Sequence, residues 1–195
     1  MEVMLVRVIS GTFKGRRLTA VPGHHTRPTA DRVKEAIFNL IPDDTYRDGT
    51  GLDLFAGTGS LGIEALSRGC RRMIFIDHHP MAVKVIYQNL KALGLSENSE
   101  VYRNDARRAL KVLAKRGLQF EIIFLDPPYA RHNLPVILSL IEEYNLLRPE
   151  GVIVVETAKG TALNNKLNQL ILDKHHHYGD TEIRIYVRRE ALSWE

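Results

Sequence analysis

The stretch Leu52-Asp53-Leu54-Phe55-Ala56-Gly57-Thr58-Gly59-Ser60-Leu61-Gly62-Ile63-Glu64-Ala65-Leu66-Ser67-Arg68-Gly69 decides the fold class. Its first four residues read as a short buried strand, Gly57 and Gly59 as a tight turn, and positions 60–68 as a helix. Gly69 then ends the helix, because a residue without Cβ tolerates the positive φ found there. A strand that feeds a helix across a glycine turn opens a β-α-β unit, and the rest of the chain repeats the pattern. Further strands are expected at 73–76, 100–103, 121–125, 152–155 and 183–187, with helices at 80–93, 106–115 and 134–144. Pro80 opens its helix where a missing N–H costs nothing, and Gly94 stops it. The alternation predicts an α/β fold with a mainly parallel sheet covered by helices on both faces.

Toward the N-terminus the pattern changes. Positions 6–11 and 15–20 read as two short strands around a turn, and Thr29 can cap a helix that runs to about 41 and stops before Pro42. Residues 1–48 therefore form an appendage of hairpin plus helix, and 49–195 form the α/β domain. The net charge is +4, of which the first 34 residues carry +5 and the remainder −1. A basic segment concentrated in this way points to a phosphate-backbone partner, against the plainer reading of a solvated basic face. Cys70 is the only cysteine, the first residues lack the layout of a signal peptide, and no apolar run reaches the ~20 residues that span a bilayer. A cytoplasmic protein without membrane association is expected.

In open α/β sheets ligands bind beyond the carboxyl ends of the strands. That rule selects Gly57 to Gly59, Asp77, Asp105 and Asp126 to Tyr129. The spacing Gly57-x-Gly59-x-x-Gly62 also fits a nicotinamide dinucleotide site. Asp53 argues against that, because a carboxylate just before the glycines would repel a pyrophosphate. It suits a ligand with a positive amino group, such as the methionine moiety of S-adenosyl-L-methionine, or it caps the loop by accepting backbone N–H bonds. Asp77 is placed to bind ribose hydroxyls. Asp105 is an N-cap, an acceptor for an adenine amino group beside Ala106, or both.

Asp126-Pro127-Pro128-Tyr129 ends a strongly apolar strand. Two prolines fix φ and remove two backbone donors, so the polar groups left near the cleft are acceptors. Such a site fits a substrate NH₂, whose two N–H bonds it would accept while the nitrogen lone pair is aimed at an electrophile. Tyr129 can stack on a planar base. The plainer reading is a rigid turn with Tyr129 as packing.

The stretches 52–69 and 125–129 resemble class I Rossmann-like methyltransferases of the amino-methylating type. Two N-terminal pieces narrow the resemblance: Arg7-Val8-Ile9-Ser10-Gly11-Thr12-Phe13-Lys14-Gly15-Arg16-Arg17-Leu18, and Arg27-Pro28-Thr29-Ala30-Asp31-Arg32-Val33-Lys34-Glu35-Ala36-Ile37-Phe38-Asn39. They are similar to the bacterial RsmD family, which methylates guanine N2 in 16S ribosomal RNA. The resemblance implies a seven-stranded sheet and a cofactor site for S-adenosyl-L-methionine lined by Asp53, Phe55, Gly57, Gly59, Asp77, Asp105 and Ala106. It implies that Asp126 and the Pro127 carbonyl orient the guanine amino group and that Tyr129 stacks on the base. It further implies RNA contacts from Lys14, Arg16, Arg17, Arg27 and Arg32, with Arg27 and Arg32 alternatively bracing the cleft through Asp126 or Asp31. The partner would be 16S ribosomal RNA within a small-subunit particle, met by a monomer. Such enzymes often carry Glu where this chain has Asp77.

No metal is expected. His175, His176 and His177 on an extended segment point to alternating faces and do not converge on one ion. The acceptor logic at Asp126 serves adenine N6 in DNA or another RNA, or a glutamine side chain, equally well. An NAD-linked oxidoreductase and an RNA-binding protein without catalysis are the rivals from other classes.

Overall fold

The computed structural model describes residues 6–22, 31–128 and 134–188. A two-stranded hairpin of β1 (Val6–Arg7) and β2 (Arg17–Leu18) leads to helix α1 (Asp31–Leu40). The α/β series then runs β3 (Thr50–Asp53), α2 (Ser60–Ser67), β4 (Arg72–Asp77), α3 (Pro80–Leu93), β5 (Ser99–Arg103), α4 (Ala106–Lys115) and β6 (Phe120–Leu125). It closes with α5 (Leu134–Glu143), β7 (Leu147–Ala158), β8 (Leu170–Tyr178) and β9 (Thr181–Arg188). The seven-stranded sheet has the order β5-β4-β3-β6-β7-β9-β8, and β9 alone runs against the others.

Strands at the centre of this sheet are buried on both faces, which is why they read as continuous apolar runs. In β6, Ile122 and Phe124 face one cluster with Ile37 and Phe38 of α1, Ile63 of α2 and Ile86 of α3. Ile123 and Leu125 face the other cluster, with Leu110 of α4 and Ile137 and Ile141 of α5. Among the described residues three helices thus cover one face and two the other. Helix boundaries follow local chemistry. Pro80 is the first residue of α3, and Gly94 closes that helix at φ 71°. Asp105 caps α4 by accepting from the N–H groups of Arg107 and Arg108.

The structure corrects three expectations. The hairpin ladder is shorter than expected, because its turn spends backbone donors on α2. The N–H groups of Ile9 and Ser10 donate to the Glu64 carboxylate, that of Phe13 to Ser67 Oγ and that of Thr12 to the Ser67 carbonyl. Gly11 sits at φ 81°, and a Cβ there would overlap the Ser67 carbonyl. Next, β7 begins at Leu147, and its register on β6 shifts between Phe120 and Ile122, which absorbs the turn-like Pro149-Glu150-Gly151. Lastly, β8 is an added edge strand that hydropathy alone does not announce. The capping residue expected at Thr29 lies outside the described residues.

The appendage shares the main core. Val6, Val8, Leu18, Val33, Ile37 and Phe38 are buried in the cluster that contains Phe75 and Phe124. Arg68 places its guanidinium 4.6 Å from the Phe38 ring centroid, joining α2 to α1 through a cation–π contact. No helix among the described residues is long and apolar enough to cross a membrane.

Candidate functional site

Strand order reverses between β3 and β6: the chain moves outward to β4 and β5 on one side, and to β7 on the other. The crevice beyond the carboxyl ends of β3 and β6 is therefore the switch point where such sheets bind ligands. The glycine loop follows β3, and Asp126-Pro127-Pro128 follows β6. Because Asp53 pairs with Phe124 in register, the two segments leave the sheet side by side.

Gly57 and Gly59 take φ values of 54° and 78°, the left-handed region that glycine reaches without Cβ strain. Gly59 is the N-cap of α2, so the positive end of that helix lies at the crevice, while the Gly62 N–H turns inward to Asp53. A Cβ on Gly57 would meet nothing, so the outer side of the loop is open. Below it, the loop is pinned on several sides. Leu54 N–H donates to the Phe124 carbonyl at 3.1 Å, Ala56 N–H to Ile76 at 3.0 Å, and Gly57 N–H to Asp77 Oδ2 at 2.9 Å.

Asp53 lies under the loop, 2 % exposed, and accepts from Gly62 N–H at 3.1 Å. Burial pushes its carboxyl up to about 7; the Gly62 N–H pulls it down and the Asp77 charge adds to the rise. The folded chain therefore holds this proton in a range where an unfolded Asp, at 3.8, releases it. The resulting stability is fully present below about pH 4 and is lost as pH rises toward 7. Asp53→Asn should flatten that limb, which amounts to a few kcal/mol, on the order of 1.4 kcal/mol per pH unit. Melting curves at pH 5 and pH 8 check it: an unchanged slope in the variant excludes Asp53 as the source.

Asp77, at the end of β4, accepts from Gly57 N–H through Oδ2 and from His79 N–H through Oδ1. A carboxylate has four lone-pair positions, so acceptor capacity for a hydroxyl remains. Asp105 uses Oδ1 as the α4 cap, and Ala106 is buried behind it. Phe55 is half-buried against the α4–α5 cluster. Asp126 is half-buried and Pro127 buried. Tyr129 and Arg27 lie outside the described residues.

Of the basic residues, Lys14, Arg16, Arg17 and Arg32 are exposed. Arg16 donates to the Ala92 carbonyl at the carboxyl end of α3. Asp31 pairs with Arg7 at 2.7 Å.

Sequence patterns did not reveal the wiring between appendage and loop. Asn89, 3 % exposed, donates to the carbonyls of Thr19 and Thr58 and accepts from Thr19 N–H, so it joins the hairpin to the glycine loop. Lys34, 1 % exposed, donates to the Arg7 carbonyl and to Ser60 Oγ, the first residue of α2, and lies 3.5 Å from Glu64. Burial pushes the Lys34 ammonium below its ordinary value against the pull of Glu64. The one available signal was a Glu inside an otherwise apolar helix.

Comparisons with known proteins agree with this architecture. The family described as conserved hypothetical protein 95 matches residues 6–187. YlbH of Bacillus subtilis (strain 168) is 49% identical over 94% of this chain and 100% of its own length. The Haemophilus influenzae ribosomal RNA small subunit methyltransferase D is 36% identical over 93% of each chain. Among solved structures, the Escherichia coli protein yhhF superposes with a TM-score of 0.83 at 31% identity, covering 96% of this chain and 99% of that one.

Proposed function

The chain belongs to the conserved hypothetical protein 95 family, that of the RsmD methyltransferases, and on that premise we propose that it methylates the exocyclic N2 of a guanine in 16S ribosomal RNA, using S-adenosyl-L-methionine. The observation that carries this reading is the meeting of the glycine loop and Asp126-Pro127-Pro128 at one switch point.

The residues fit the methyl donor. The open cradle at Gly57 accepts a bulky ligand against backbone, and the acids at or just past the carboxyl ends of β3, β4 and β5 suit a ligand rich in amino and hydroxyl donors. Gly57, Gly59 and Phe55 would hold its body, Asp77 its ribose, and Asp105 with Ala106 its adenine, while Asp53, which a nearby ammonium would favour in its ionised form, would balance the amino group from beneath the loop. When bound, it supplies an electrophilic methyl group on a positively charged sulfur.

The rest of the work falls to the protein. Asp126 and the Pro127 carbonyl accept the two N–H bonds of guanine N2, hold the amine in one orientation and favour its nucleophilic form. Asp126 is the candidate base for the proton that leaves the nitrogen. Tyr129 stacks on the base. The exposed Lys14, Arg16, Arg17 and Arg32, with Arg27, hold the RNA backbone, preferably within a small-subunit particle.

Mass mapping of modified nucleosides in small-subunit RNA, with and without the gene, tests the reading. Loss of one N2-methylguanosine is expected. Loss of an N6-methyladenine instead, or strong label in DNA, would overturn the substrate. Calorimetry with S-adenosylhomocysteine and NAD tests the cofactor, and tight binding of NAD alone would refute it.

A further inference from the structure

Strand alternation separates the three adjacent histidines of β8. His175 and His177 share one face, and His176 takes the other, with its ring stacked on Tyr178. Register then sets His177 opposite Glu182 of β9, and His175 opposite Arg184. On the shared face His175 Nε2 lies 3.4 Å from Glu182 Oε2, and His177 Nδ1 lies 3.3 Å from Glu182 Oε1. The three ligand atoms all fall within 4.8 Å of one another.

From this geometry we infer that His175, His177 and Glu182 form a binding site for a zinc-class divalent transition-metal ion. Each imidazole faces its own oxygen of the Glu182 carboxylate, Oε2 for His175 and Oε1 for His177, and one donor atom from each of the three residues lies within 4.8 Å of the others, close enough for a small rotation of the exposed rings to bring them onto one ion. The carboxylate is built into the fold. Glu182 is 3 % exposed, accepts from Gly160 N–H at 3.0 Å, and pairs with Arg184 Nη2. Arg184 is itself fixed by Thr157 Oγ1 and the Thr161 carbonyl. A ligating carboxylate is ordinarily oriented by such outer hydrogen bonds.

The donor set selects the ion. Two imidazoles and one carboxylate suit Zn²⁺, Ni²⁺ or Cu²⁺, whereas Mg²⁺ and Ca²⁺ require oxygen-rich sites. The Arg184 charge weakens attraction for any cation, so the site binds less tightly than a closed four-ligand centre. Bound metal would tie β8 to β9 and stiffen the sheet edge beyond the pairing of the strands themselves. The proposal departs from the expectation of no metal, because alternation removes only His176 from the set.

The test is Zn²⁺ titration of the metal-free, full-length protein against a chromophoric chelator, with Co²⁺ absorption as the report on geometry. One ion per chain is expected, not displaced by excess Mg²⁺. His175→Ala and His177→Ala should each weaken binding by about tenfold or more, and His176→Ala should leave it unchanged. The side chains of His175 and His177 are 33% and 54% exposed, so these variants keep the fold. Absence of Zn²⁺ binding, or an equal loss from His176→Ala, would overturn the site in favour of unspecific surface histidines.

Discussion

Asp126→Ala should lower the rate of methyl transfer to small-subunit RNA by roughly 10²–10⁴-fold while leaving S-adenosylhomocysteine affinity and melting temperature near wild type. The carboxylate stands just beyond β6, a strand at the centre of the sheet, with Leu125 fully buried before it and Pro127 buried after it. Two consecutive prolines fix the backbone, so truncating the side chain removes acceptors without moving the segment. Asp126→Asn is the sharper variant. It keeps the shape and one acceptor but presents an NH₂ donor to a substrate amine that also donates, so it should lose activity on the same scale. Single-turnover transfer measures the chemical step directly. A loss below tenfold for both variants would assign orientation of the amine to other groups.

Glu64→Ala should destabilise the protein by about 3–5 kcal/mol, because it strands the buried Lys34 ammonium without its countercharge. At roughly 2–4 °C per kcal/mol for a chain of this size, the melting temperature should fall by on the order of 10 °C. Glu64 is fully buried and accepts from Ile9 N–H, Ser10 N–H and Arg68 Nε, besides facing Lys34. Lys34→Met should cost less. It removes a group that burial already disfavours, and Glu64 retains Arg68 and two backbone donors. The double variant Lys34→Met/Glu64→Ala should therefore be more stable than Glu64→Ala alone, with a coupling of about 1 kcal/mol or more. Additive losses would show that Lys34 and Glu64 act independently. The network has a functional side, since it clamps the hairpin and α1 to the helix that follows the glycine loop.

Much of this molecule was legible in the chain because local chemistry governed it. Pro80 and Gly94 bound α3, and Asp105 starts α4, since a missing N–H, a positive φ and a side-chain acceptor each act within a few residues. Apolar runs announced β4 and β6 because both faces of a central strand are covered. The rule that ligands lie beyond strand carboxyl ends groups the glycine loop and Asp126 from the order of elements alone.

Asp126-Pro127-Pro128 and the glycine loop specified acceptors and a cradle by residue type alone; the sheet order added that β3 and β6 are neighbours and leave in register. What the chain could not show depends on partners remote in sequence. β8 is an exposed, histidine-rich edge whose strand character comes from pairing with β9, which folds back between β7 and β8. The hairpin ladder is short because Glu64 and Ser67, more than fifty residues away, take its donors. The histidines required register: residue type supplied ligands, alternation sorted them, and only cross-strand pairing brought Glu182 beneath two of them. Sequence thus determined the elements and the chemistry at their ends, whereas tertiary packing decided which distant polar groups share a buried space and must satisfy one another.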